Sequence, residues 1–154
     1  LPESIILMVD CGMDLEAMIA AGHYDWKNDD ITAKRFPISG KGIVEFEAKL
    51  VYPNRDISSD DAEAMIKALD PTNPWESGKI EHLLSFAAKF PEEQRKYPIV
   101  GLGSVAEVGG NRRVPYLDRS DSGRRLHLYW MDYGWSAYCR FLAVRKKVSV
   151  ASAA

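Results

Sequence analysis

Alternation of apolar and polar residues is clearest over residues 42–52, where every second side chain is apolar. Val44, Phe46 and Leu50 would share one face of a strand, because successive side chains of a strand point to opposite faces. Pro53 follows this run and ends it. The pattern therefore predicts a half-buried strand over residues 42–52.

Three stretches carry the spacing of amphipathic helices, with apolar residues three and four positions apart. The first begins after Asp14, a favourable capping residue, and ends at Gly22. The second begins at Ser58 or Ser59, and the third covers about residues 77–90. All three lie in the first two thirds of the chain, so we predict that the helices gather there.

Short β-like segments separated by turn residues occupy the last third of the chain. Residues 99–108 are mostly apolar, and the segments RRVPYLD, LHLYWM and CRFLAVRK follow at short intervals. Such spacing favours antiparallel strands joined by loops. Helices followed by strands predict an α+β fold with a short antiparallel sheet at the C-terminus. Because no linker or repeat divides the sequence, we predict a single domain over residues 1–154.

Composition and charge are ordinary for a soluble globular protein, with 46% hydrophobic and 27% charged residues. No apolar run is long enough to predict a membrane span, and the N-terminus lacks the basic start of a signal peptide. Residues 109–147 contain nine Lys or Arg and three Asp or Glu, although the net charge is −2. This basic end would suit nucleic acid or an acidic partner, but we favour its neutralisation by the acidic remainder of the molecule.

No standard catalytic or metal-binding motif is present in the sequence. The three histidines lack the spacing of zinc sites. GLGSVAE at residues 101–107 lacks the third glycine of a dinucleotide-binding loop and is better explained by strand glycines near a turn. Cys11 and Cys139 are too few for a disulfide framework and are expected to be free thiols. We therefore predict no catalytic residue, no cofactor and no metal.

The C-terminal framework consists of PIVGLGSV, RRVPYL, GRRLHLYW, a second tryptophan at Trp135, and RFLAVRK. It resembles the variable proteins of diversity-generating retroelements, in which a reverse transcriptase copies a template RNA with errors at adenines and the copy overwrites the end of the gene. The resemblance covers residues 98–147. It implies a C-type lectin-like fold, a non-enzymatic ligand-binding function, and pairing of the strand at 42–52 with residues 139–146.

The resemblance also implies a variable region, at about residues 112–147. Errors at the adenines of Asn codons never produce Trp or Met, so Trp130, Met131 and Trp135 are assigned to the constant framework. Most of the remaining side chains are small, polar or tyrosyl, as in antibody paratopes. The candidate ligand-binding residues are Asp118, Arg119, Ser120, Ser122, His127, Tyr129, Asp132, Tyr133, Gly134, Ser136, Ala137, Tyr138 and Cys139.

Two other functions stay open at this point. Formylglycine-generating oxidases share the lectin-like fold but need paired active-site cysteines, whereas Cys11 and Cys139 are far apart in sequence. A nucleic-acid-binding domain would combine neighbouring Tyr and Trp with a set of arginines, here Arg112, Arg113, Arg119, Arg124 and Arg125. We favour a non-enzymatic protein that binds a macromolecular ligand, most simply a protein. The sequence defines neither the oligomeric state nor the compartment.

Overall fold

The computed structural model describes residues 1–121 and 123–147. Within these ranges, nine strands form one mixed sheet, accompanied by three α-helices and one 3₁₀ turn. The strands are β1 (Ile5–Asp10), β2 (Trp26–Lys27), β3 (Ile43–Val51), β4 (Glu76–Ser77), β5 (Ile99–Val100), β6 (Ala106–Val108), β7 (Asn111–Ser120), β8 (Gly123–Trp130) and β9 (Arg140–Lys146). The helices are α1 (Leu15–Ala21), α2 (Ser59–Lys67) and α3 (Ile80–Lys89), and the 3₁₀ turn is Glu93–Arg95.

The sheet extends through the whole described chain, so the predicted fold class is wrong. We expected an α+β, C-type lectin-like fold with helices in the N-terminal two thirds and a short antiparallel C-terminal sheet. Instead, β1 to β4 lie in that N-terminal part, and its helices have only seven, nine and ten residues. The sheet is also not purely antiparallel, because β5 is parallel to β9 and β2 is parallel to β8.

The C-terminal strand β9 lies in the middle of the sheet. The strand order is β1-β3-β9-β5-β7-β8-β2, with β4 also paired to β9 and β6 to β7. β3 pairs antiparallel with β9, from Phe46 opposite Lys146 to Val51 opposite Phe141. The pairing of residues 42–52 with residues 139–146 is therefore confirmed. β4 and β5 occupy the other edge of β9.

The three helices begin close to their predicted positions. The Asp14 side chain caps α1, whose C-cap is Gly22, and the Ser58 side chain caps α2. α3 begins at Ile80 rather than near residue 77, because Glu76 and Ser77 pair with β9 instead of joining the helix. The capping residues in the sequence therefore located α1 and α2, while the short strand β4 gave no periodic signal of its own.

Alternate side chains of β9 enter two different hydrophobic clusters. Leu142 and Val144 belong to the cluster that includes residues of β1, α1 and α3. Phe141 and Ala143 belong to a second cluster with residues of α2 and with Trp135. Since side chains of a strand alternate between its faces, both faces of the sheet are covered at β9. The second cluster supports the surface described next.

Candidate ligand-binding surface

Aromatic side chains form a row across the strands β2, β8 and β7. Tyr116 lies opposite His127 in the β7–β8 pair, and the two rings stack with centroids 5.6 Å apart. Trp26 packs edge-on against His127 at 4.6 Å. Tyr129 is two residues beyond His127, so both side chains share one face, and its ring lies 6.2 Å from that of Tyr116.

The loop at residues 131–139 continues this row toward water. Tyr133 lies 6.4 Å from Tyr129 and 5.0 Å from Trp130, measured between ring centroids. Tyr133 is 58% exposed, Tyr138 is 75% exposed and Trp26, at the other end of the row, is 43% exposed. We refer to this row of rings together with the loop 131–139 as the aromatic surface.

Trp135 anchors the loop to the body of the protein. Its indole Nε1–H donates to Ser59 Oγ at 2.9 Å, and that hydroxyl donates to the Met131 carbonyl at 2.6 Å. Its backbone exchanges two hydrogen bonds with Ile57. The indole is 4% exposed and packs edge-on against Phe141 at 5.9 Å. Trp135 and Phe141 therefore hold the loop against the core.

A cavity of about 260 Å³ opens beside the anchored indole. Its lining residues are Pro98, Tyr116, Asp118, Tyr129, Gly134, Trp135, Ser136 and Cys139. Burial raises the pKa of the Tyr116 hydroxyl to about 12, and burial also raises the pKa of the Cys139 thiol. Both groups are protonated at neutral pH, so the cavity offers hydrogen bonds and apolar contact and no thiolate nucleophile.

The predicted ligand-binding residues occupy different environments. The exposed ones are Arg119, Asp132, Tyr133, Gly134, Ser136 and Tyr138. The half-buried ones are Asp118, Ser120, His127, Tyr129 and Ala137. Cys139 is buried, and Ser122 lies outside the described residues. Tyr133 contacts Tyr129, and Gly134, Ser136 and Cys139 line one cavity together with Asp118 and Tyr129. Arg119 instead lines a neighbouring cavity beside the 3₁₀ turn.

Most arginines near the aromatic surface are engaged by the protein itself. Arg125 makes two hydrogen bonds to Asp118, at 2.6 and 2.9 Å, and this contact raises the pKa of Arg125. Arg112 pairs with Asp132. Arg124 is buried and donates to the Gly22 carbonyl and to the Gln94 side chain. These guanidinium groups are therefore already paired within the protein and do not form a continuous basic surface for nucleic acid.

Comparisons with protein-family models, curated proteins and solved structures found no match to this chain.

Within residues 1–121 and 123–147, no three His, Cys, Asp or Glu side chains are grouped so that they could hold a metal ion. None of the helices in those ranges combines the length and apolar character that crossing a membrane requires. Cys11 and Cys139 line different cavities, unlike the paired cysteines of the oxidase alternative.

Sequence reasoning missed two members of the row, Trp26 and Tyr116. Tyr116 gave no clear signal, because residues 114–117 are all apolar or aromatic and Val114, on the same face of the strand, is fully buried. Trp26 gave none, because β2 has only two residues and its place beside β8 depends on a contact distant in sequence.

Proposed function

We propose that this chain is a non-enzymatic binding protein whose aromatic surface takes a protein ligand. The observation that carries the proposal is the row of partly exposed rings on paired strands, continued by a loop that Trp135 fixes to the core. Tyr and Trp give large contact area at low cost in conformational entropy and are enriched among the residues that dominate binding energy. A frame that is already ordered reduces the entropy lost on binding.

The cavity beside Trp135 favours a protein ligand over a small cofactor. Its volume of about 260 Å³ is below the range of about 300–1,000 Å³ that is usual for small-molecule sites. It can accept one side chain of a partner against the Tyr116, Tyr129 and Trp135 rings that line it. Ser136 and the phenol hydroxyls would then hydrogen-bond any polar atom on that side chain.

We also propose that a diversity-generating retroelement varies this surface. Asp132, Tyr133, Gly134, Ser136 and Tyr138 are all exposed, and exchanges at exposed positions usually change stability by less than about 0.5 kcal/mol. These side chains of the loop could therefore be exchanged repeatedly with little loss of stability. The buried Cys139 and the half-buried Asp118, whose ion pair with Arg125 is shielded from water, would tolerate fewer residues than the exposed Asp132, and we expect less variation there.

Sequencing the genomic neighbourhood tests the retroelement part. The expected result is a near-copy of the DNA encoding residues 112–147 beside a reverse-transcriptase gene, differing from it at adenines. A locus with neither feature would overturn diversification and leave the binding proposal standing.

A paired-variant experiment tests the binding proposal. A photo-crosslinking residue placed at position 133 captures the partner from extracts of the producing cells, and the purified partner is then titrated by calorimetry. We expect Tyr133→Ala/Tyr138→Ala to weaken binding at least about tenfold, or 1.4 kcal/mol, with little change in melting temperature.

The matched control is Met8→Ala/Ile43→Ala, which removes side chains of 52% and 66% exposure from β1 and β3. Equal binding by the tyrosine variant and the parent protein would overturn the proposal, as would equal weakening by the control. If the protein instead binds a nucleic acid with an affinity that falls steeply as salt concentration rises, the alternative of a nucleic-acid-binding domain would be favoured.

A further inference from the structure

A second cavity, of about 820 Å³, lies among the loop at residues 39–41, the strands β3, β4 and β9, and the start of α3. It shares no lining residue with the cavity of the aromatic surface. Its volume falls within the range of about 300–1,000 Å³ that is usual for small-molecule sites. Its wall combines a buried carboxylate, a buried imidazole and several cationic side chains.

The carboxylate is that of Glu81, which is 2% exposed. Oε2 accepts hydrogen bonds from the Ser39 backbone N–H at 3.1 Å and from the Ser39 hydroxyl at 2.9 Å. Oε1 is equally buried and has no hydrogen-bond partner among the described residues. A buried acceptor left without a donor is costly. Glu81, a residue of the cavity lining, therefore keeps one buried acceptor without a donor.

The imidazole is that of His82, which is 7% exposed. Its Nδ1 accepts the Lys79 backbone N–H at 2.9 Å, so the ring proton of the neutral form is on Nε2. Phe46 packs edge-on against this ring at 4.5 Å. His82 thus contributes a neutral N–H donor to the cavity lining, and Phe46 contributes apolar surface.

Cations outnumber carboxylates around the cavity. Lys41, Lys79, Arg145 and Lys146 line it, against Glu76 and Glu81. Arg145 is already held by Glu47 and Asp70. Within residues 1–121 and 123–147, Lys41 and Lys146 make no ion pair. These two lysines remain available for an anionic group.

We propose that this cavity binds a small organic acid that also carries an N–H or O–H donor. The acid group meets the lysines, and the donor satisfies Glu81 Oε1, which a small movement of the carboxylate must first expose to the cavity. A neutral ligand would leave the lysine charges unmatched. An acid without a donor would bring negative charge toward Glu81 and leave Oε1 unsatisfied.

Matched pairs of probes test this chemistry, with binding measured by calorimetry and located by NMR shift changes. L-malate and L-glutamate carry the donor, whereas succinate and glutarate keep both carboxylates and lack it. We expect saturable binding of at least one donor-bearing acid at this cavity in the millimolar range or tighter. That acid should bind at least about tenfold more tightly than the matched acid without the donor, a difference of about 1.4 kcal/mol in binding free energy.

Glu81→Gln should remove that preference. The two hydrogen bonds from Ser39 require an acceptor at the Oε2 position, so the amide oxygen takes that place and the NH₂ group replaces Oε1. The open acceptor thereby becomes a donor. Glu76→Gln removes the same charge from the same cavity, where Glu76 is exposed, and should leave the preference intact.

Lys146→Met provides a second readout that does not depend on the folding of the Glu81 variant. It should weaken both members of a pair alike, since it removes only a contact to the acid group. The proposal is overturned if neither L-malate nor L-glutamate binds, if Glu81→Gln folds and keeps the preference, or if binding maps elsewhere. None of these outcomes bears on the aromatic surface, which shares no residue with this cavity.

Discussion

Single side chains decide which parts of the loop 131–139 are fixed and which face water. Trp135 is 4% exposed, whereas Tyr133 and Tyr138 in the same loop are 58% and 75% exposed. A buried indole with a satisfied N–H resists replacement, while exposed tyrosines can change at little cost. Within this one loop, the buried Trp135 holds the backbone to the core, and the exposed Tyr133 and Tyr138 are available to contact a ligand.

Trp135→Phe should lower the free energy of unfolding by about 1–3 kcal/mol, because it leaves Ser59 Oγ without its indole donor and removes buried ring atoms. Urea denaturation measures the change. Tyr138→Phe is the matched control, since it alters an exposed ring, and should differ from the parent by less than about 0.5 kcal/mol. Equal stability of Trp135→Phe and the parent would contradict the anchoring role.

His82 should make stability depend on pH. Burial lowers its pKa from 6.5 to about 4, with Glu81 opposing the shift and Lys79 adding to it. Between these values the unfolded chain binds the proton and the folded protein does not. The free energy of unfolding therefore falls as pH decreases through this range.

His82→Asn keeps an acceptor for the Lys79 N–H and removes the titrating ring. Denaturation curves at pH values from about 7 to 4 should show a shallower decline for this variant than for the parent. Carboxylates that protonate near the lower end affect both proteins alike, so the difference isolates His82. Parallel declines would show that His82 titrates normally.

Elements with a clear period were predictable, and the shortest strands were not. β3, β9 and the caps of α1 and α2 followed from alternation and capping residues. β1 was missed because its exposed positions, Ile6 and Met8, are as apolar as its buried ones, Leu7 and Val9. β2 and β4 have two residues each, so their partners rather than their own sequence define them.

The candidate surface was predictable to a similar extent. Tyr133, Tyr138 and the anchor Trp135 followed from the loop sequence, because local composition distinguishes small and polar positions from large apolar ones. The ion pair of Asp118 with Arg125 depends on the β7–β8 register, which the sequence did not fix. Cys139 was assigned to the surface, yet it points into the second hydrophobic cluster.

The turn between β7 and β8 should depend on Gly123. Its φ of +129° is a conformation that residues with a Cβ rarely adopt, and an added Cβ would also meet the Asp25 carboxylate. Gly123→Ala should lower the free energy of unfolding by about 1–3 kcal/mol, measured by thermal or urea denaturation.

Gly134→Ala is the matched control for Gly123→Ala. The nearest atom to its added Cβ would be the Ile57 carbonyl oxygen at 3.8 Å, so the change should stay within about 0.5 kcal/mol. A large loss at Gly134 would count against free replacement in the loop.

At the scale of the whole molecule, β9 joins two parts of the sheet. β1 and β3 lie on one side of it, and β5, β7, β8 and β2 follow on the other. Its alternate side chains also enter both hydrophobic clusters. The two parts are therefore expected to lose structure together.

Leu142→Ala should lower the free energy of unfolding by about 2–5 kcal/mol, because it opens a void at a fully buried position. Hydrogen exchange at increasing urea should show Ile5–Asp10 and Gly123–Trp130 losing protection at one common midpoint. Ile43→Ala, at a position 66% exposed, is the control and should change stability little. Persistent protection of either segment after the other has opened would contradict a single cooperative unit.

The position of β9 has a consequence for biosynthesis. A ribosome makes β3 and β5 well before it makes the strand that lies between them. Until β9 emerges, the nascent chain carries unpaired strand edges and uncovered apolar side chains, which invite association with other chains. Translational pausing or premature termination before residue 140 would therefore expose the cell to an aggregation-prone intermediate, and chaperone capture at that stage would be its natural protection.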